Sequence, residues 1–224
     1  MSEEIENFIP GIFNYCDRWC ERCHLTSRCR VFSMEQKDAN TERDVTQEKF
    51  WRGLSDIFRQ TSEMLQDIAA ENGVDLSNIE IDELDEEWRL KQQEIEDSSL
   101  IQMSQTYSKL LDDFFKDSES LISAGGNEDA LSEILQWYRL FIPAKINRGL
   151  SSHEKKDTDG SIKIALIAID RSIMACYGLL NSTNFSWLRP LIDLLQIIRD
   201  KCEEKFPGAR DFFRPGFDEI DSVM

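Results

Sequence analysis

A chain of 224 residues can bury a substantial core without staples, and 41% hydrophobic with 10% aromatic residues is the composition of a globular protein, not a disordered one. Its formal charge of −17 opposes nucleic-acid phosphates and anionic membrane surfaces, so neither is expected as a partner. Only 10 Gly and 5 Pro are present, sparse for an all-β protein that turns constantly, and helix is the expected secondary structure.

The opening residues MSEEIENFIP are acidic and lack the basic and apolar blocks of a secretory signal. No uncharged apolar run reaches the roughly 18 residues of a membrane span. The nearest, Ile162 to Leu180, is interrupted by Lys163, Asp170 and Arg171. A cytoplasmic protein is expected, in a compartment that keeps thiols reduced.

Residues 1–31 form a four-cysteine segment, and residues 32–45 are polar and read as a linker. Thr46 is a candidate N-cap for a helix carrying Phe50, Leu54, Ile57, Thr61, Leu65 and Ile68 and ending near Asn72-Gly73. Asp82 is placed to cap a second helical stretch with Leu84, Trp88, Ile95, Met103, Tyr107, Leu110 and Phe114 on its apolar stripe. Gln92 and Ser99 interrupt that stripe, so one long helix and two shorter ones both fit; Gly125-Gly126 ends the segment.

A helix from Asn127 uses Leu131, Ile134, Leu135, Tyr138, Phe141 and Ile142, with a kink expected at Pro143. Residues 151–160, SSHEKKDTDG, read as a solvated loop. Residues 161–181 are apolar on most sides and should form the central helix. A last helix starts near Ser186 and stops at Pro207-Gly208. The tail from 207 to 224 carries Phe212, Phe213 and Phe217 and is expected to dock. The whole predicts an all-α bundle of four to five helices, spanning 46–206, behind the N-terminal cysteine-rich segment.

Cys16, Cys20, Cys23 and Cys29 follow C-x3-C-x2-C-x5-C. Four reduced thiols crowded in this way point to metal or cluster binding, because thiolate is a soft ligand and four complete the shell of zinc or of an iron–sulfur cluster. If residues 11–24 were helical, Cys16 and Cys23 would stand about 10 Å apart along the axis. Tetrahedral zinc, with sulfurs about 3.8 Å apart, would then be too tight, and a [4Fe–4S] cluster would fit better. Arg18, Arg22, Arg28 and Arg30 surround the cysteines and would offset the net negative charge of either centre. A neighbouring helical residue points about 100° away, which disfavours His24 as a ligand.

The first three cysteines share the spacing of radical S-adenosylmethionine enzymes, over eight residues. A fourth cysteine would fill the iron position that must stay open, and the chain lacks the strand–helix alternation of their barrel. The assignment fails on both counts.

A carboxylate di-iron bundle needs Glu-x-x-His pairs, and neither His24 nor His153 sits in one. No phosphate-binding glycine loop or nucleophile elbow appears. Asp170, Arg171 and Ser172 interrupt the most apolar helix, and Arg139, Lys145 and Arg148 are candidate partners for Asp170, as an ion pair or as a small polar pocket. Cys176 and Cys202 lie on helical stripes and read as core.

Three functions follow from this reading. The first is a metal- or iron–sulfur-binding helical protein with a structural or protein-interaction role, Arg18, Trp19, Arg22 and Arg30 facing a protein partner. The second is electron transfer through a [4Fe–4S] cluster. The third, with least support, is a small-molecule enzyme built around Asp170, Arg139 and Lys145. Whether the chain is an enzyme stays open at this point.

Overall fold

The computed structural model describes residues 8–39, 48–71, 73, 81–117, 127–182 and 187–219. Among them are seven α-helices, with three single 3-10 turns at the N-terminus and no strand. The helices are α1 (Arg30–Ala39), α2 (Glu48–Glu71), α3 (Ile81–Glu96), α4 (Ser99–Asp117), α5 (Asn127–Ser151), α6 (Lys155–Ser182) and α7 (Leu188–Lys205). None is long and apolar enough to cross a membrane.

Helices α4 to α7 pack as a ring of four, α4 against α5 and α7, and α6 against α5 and α7. The stripes on these helices supply the core. Tyr107 and Leu111 come from α4, Leu135, Tyr138, Ile142 and Ile146 from α5, Ile162, Leu166 and Ile169 from α6, and Leu188, Leu195 and Ile198 from α7. α6 buries residues around most of its circumference, as its doubled apolar stripe requires. Cys176 and Cys202 are fully buried in this core, and burial pushes both thiols up to about 12.

Two boundaries differ from expectation and one open choice closes, each for a local reason. Residues 32–39 of the expected linker are helical, because the Cys29 carbonyl accepts the Ser33 amide at 3.1 Å and starts α1 at Arg30. The interrupted stripe after residue 81 is two helices. Ser98 ends the ambiguity, its hydroxyl accepting the Ile101 amide at 3.3 Å as the N-cap of α4. The expected loop at 151–160 shrinks to a break between Ser151 and Lys155, where Ser152 Oγ accepts the Glu154 amide at 3.2 Å and α6 begins six residues early. α5 runs on through Pro143 to Ser151.

On α2, Ile57, Phe58, Met64 and Leu65 are exposed. The expected cap at Thr46, the Asn72 and Gly125-Gly126 stops and the start at Ser186 fall outside the described residues.

Candidate metal centre

The cysteine segment is not the helix that would have spread three thiols along one face. It is a chain of 3-10 turns, Ile12–Asn14, Cys20–Arg22 and Thr26–Arg28. The Asp17 carboxylate explains the departure: its Oδ1 accepts the Trp19 amide two residues on, at 3.2 Å, so the backbone turns instead of continuing a helix. Arg18, within that turn, adopts φ 60, the sole left-handed non-glycine among the described residues. The axial-spacing argument against zinc therefore does not apply.

The turns bring Cys16, Cys20, Cys23 and Cys29 onto one small cavity, walled otherwise mainly by Ile12, Phe13, Trp19, Leu25, Phe32 and Phe217. All four are free thiols, partly exposed. Burial first, then the charges of Glu35 and of the three other cysteines, raise the Cys20 thiol, which places the four within electrostatic reach of one another. Among the described residues no group of three or more His, Cys, Asp or Glu side chains is placed to hold a metal ion.

Backbone polarity around the sulfurs suits anionic ligands. The Leu25 amide donates to Cys23 Sγ at 3.4 Å, and the Arg18 amide donates to Cys16 sulfur. Each amide lies two residues after its cysteine. Burial is the larger influence on Cys16 and raises its thiol; the Arg18 amide and guanidinium pull the other way. Cys29 sits at the N-terminus of α1, where unpaired amides favour negative charge. Four thiols, amide donors and an apolar wall are the donor chemistry that a four-thiolate shell uses.

Interactions with the bundle hold the segment in place. Asp17 Oδ2 accepts the Tyr138 hydroxyl at 2.9 Å and Arg171 Nη1 at 2.5 Å, while the Asp17 carbonyl accepts Trp137 Nε1 at 3.0 Å. Trp19 stacks on Trp137 with ring centroids 5.0 Å apart, and the Arg22 guanidinium lies 3.9 Å from the Trp19 ring centre while pairing with Glu133. Lys145 donates to the Asn14 carbonyl at 3.1 Å. Tyr15 fills the space a side chain on Gly160 would need: a Cβ there would stand 2.3 Å from the Tyr15 ring. Trp19 is therefore buried, 6% exposed, and is no surface contact; Arg18, Arg22 and Arg30 are exposed.

The tail completes the wall. Gly216, at φ 81, brings the backbone against Ile9, Ile12 and Leu25, where a Cβ would meet Ile9 at 2.6 Å. Phe217 packs on this small apolar cluster and lines the cysteine cavity, and Phe212 meets Tyr15 with centroids 4.7 Å apart. Phe213 is exposed. Lys163 reaches the Phe212 carbonyl at 2.5 Å and Asp218 at 2.6 Å. Burial opposes ionisation of Asp218, but hydrogen bonds from Arg214 and Lys163 outweigh it and hold the carboxyl well below the usual range.

His24 faces a neighbouring cleft and lies edge-on to Phe217, not in the cysteine cavity. The three residues read as a polar pocket are separated by their partners. Asp170 pairs with Arg210 at 2.7 Å and Arg199 at 3.9 Å, Arg139 pairs with Asp112, and Lys145 serves Asn14. Arg148, the other candidate mate for Asp170, pairs with Asp157. Asp170 drew its cations from α7 and the tail because it faces that side of α6. Asp17, Tyr138 and Arg171 are the polar cluster that sequence reasoning missed; a carboxylate inside the cysteine motif was its only signal.

No family model matches the chain, and neither a curated protein nor a solved structure does.

Proposed function

We propose that Cys16, Cys20, Cys23 and Cys29 hold a [4Fe–4S] cluster that organises the N-terminal segment and leaves an arginine-bearing face for a protein partner. The observation that carries this reading is the meeting of all four thiols on one cavity. Four thiolates leave no open coordination position, so substrate chemistry at the metal is not part of the proposal. Arg18 and Arg22, about half-exposed at the rim, are the contacts proposed for an acidic partner surface. The reading carries a cytoplasmic location with it, since the thiols must stay reduced until they are loaded.

Protein purified without oxygen should be brown, carry about four iron and four sulfide per chain, and lose both in any Cys→Ser variant of the four. A colourless protein with one zinc per chain would replace the cluster with a zinc centre. Absence of both metals in protein from its native host would sink metal binding itself.

Electron transfer is the second reading, favoured by the Trp19–Trp137 stack. It connects a wall of the cysteine cavity to a ring that is 37% exposed. Reversible bleaching by dithionite, with recovery in air-free oxidant, supports it; a cluster that only decomposes on reduction rejects it.

A further inference from the structure

The cleft beside the cysteine cavity has the make-up of a ligand site in its own right. It lies between the cysteine segment and helices α5 and α6, has a volume of about 350 Å³, and shares Asp17, Trp19, Cys23 and Phe217 with the cavity. That volume lies in the range of small-molecule sites, roughly 300–1,000 Å³.

Its charges are unbalanced in a telling way. Two guanidiniums, those of Arg22 and Arg171, line it against one carboxylate, Asp17. That carboxylate is already engaged by the Trp19 amide, the Tyr138 hydroxyl and Arg171. Arg171 makes its bonds to Asp17 and Tyr138 through Nη1. Arg22 meets Glu133 through Nη2, in a pair about half-exposed on both sides, of the kind that contributes little and opens readily. A guanidinium has five donors in a planar fork suited to phosphate and carboxylate, so donors remain on both arginines.

The remaining wall is aromatic. Trp19 and Tyr138 meet edge-on with centroids 6.1 Å apart, and Phe217 stands across from them beside His24. Apolar walls with a few convergent charged donors select a molecule that has both characters.

We propose that this cleft binds a small organic anion, a planar group bearing a phosphate or carboxylate, with Arg22 and Arg171 on the anion and Phe217 against the plane. The site goes beyond the cluster reading and stands whether or not the cysteines carry iron.

Calorimetric titration of the full chain, as purified, with phenyl phosphate, benzoate and inorganic phosphate tests it. Phenyl phosphate should saturate one site with a dissociation constant on the order of 0.1 mM, at least about tenfold tighter than inorganic phosphate. Arg22→Gln and Arg171→Gln should each weaken it by about tenfold or more. Because Arg171 also holds Asp17, Arg22→Gln with unchanged helical circular dichroism is the cleaner variant. No saturable binding of phenyl phosphate or benzoate would overturn the proposal, and so would binding that both arginine variants leave intact. Equal affinity for inorganic phosphate would overturn the aromatic half of the site. Iron content, measured on the same samples, reports separately on the cluster.

Discussion

Asp17 and Tyr138, 121 positions apart, share a hydrogen bond of 2.9 Å, and that bond ties the turn between the first two cysteines to the middle of α5. Arg171 of α6 donates to both partners, at 2.5 Å to the carboxylate and 2.6 Å to the phenol oxygen. Burial, the largest influence, pushes the Tyr138 phenol up to about 12, so it stays a donor to Asp17 across the physiological range. One carboxylate thus shapes the local turn through the Trp19 amide and anchors that turn to two helices.

Asp17→Ala should therefore do more than remove a surface charge. It leaves the Trp19 amide and the Tyr138 hydroxyl without their acceptor, a loss of about 1–3 kcal/mol for charge-assisted bonds of this kind. The urea midpoint should fall with little change in slope, and protease cleavage should appear within residues 8–29 before the bundle is cut. A variant with the wild-type midpoint and no new cleavage would mean that the segment is held by its apolar contacts alone.

The six cysteines should divide by reactivity. Cys176 and Cys202 are fully buried with thiols pushed up to about 12, so neither presents thiolate at neutral pH. Cys16, Cys20, Cys23 and Cys29 are partly exposed. Iodoacetamide on native metal-free protein should add to those four and leave the other two until the chain is unfolded, as intact-mass measurement would resolve. Modification of Cys176 or Cys202 in the folded chain would contradict the core placement. Protection of all four N-terminal thiols after iron loading is the companion result.

What the sequence disclosed follows from the range over which each signal acts. The stripes of Ile162, Leu166 and Ile169 or Leu188, Leu195 and Ile198 are local periodic patterns, and every one of those residues is buried. The cysteines announced themselves by crowding, which needs no tertiary knowledge. The conformation between them did not, because it turns on one Asx contact from Asp17 and on a left-handed Arg18 that no propensity favours. The start of α6 was hidden for another reason. SSHEKKDTDG is polar enough for a loop, yet Gly160 within it is buried against Tyr15 from the far end of the chain. Asp170 shows the same limit: its partner Arg210 is 40 positions away, beyond the end of α7.

The tail latch gives the pH dependence a definite sign. Asp218 is depressed in the folded chain, so its bonds to Lys163 and Arg214 add stability above the ordinary carboxylate pKa of about 3.9. That contribution is lost as pH falls towards the lower folded value. Asp218→Asn should accordingly cost about 1–3 kcal/mol at pH 7, and the gap to wild type should narrow below about pH 4 as the carboxyl of the unfolded chain begins to protonate. Because Phe217 adjoins Asp218 and walls the cysteine cavity, the same variant, once loaded with iron, should release it faster to a chelator at pH 7. A stability gap that stays constant from pH 7 to pH 3 would remove the charge from the argument and leave only packing. Unchanged iron release alongside a measurable loss of stability would separate the latch from the metal centre, and the tail would then serve the fold alone.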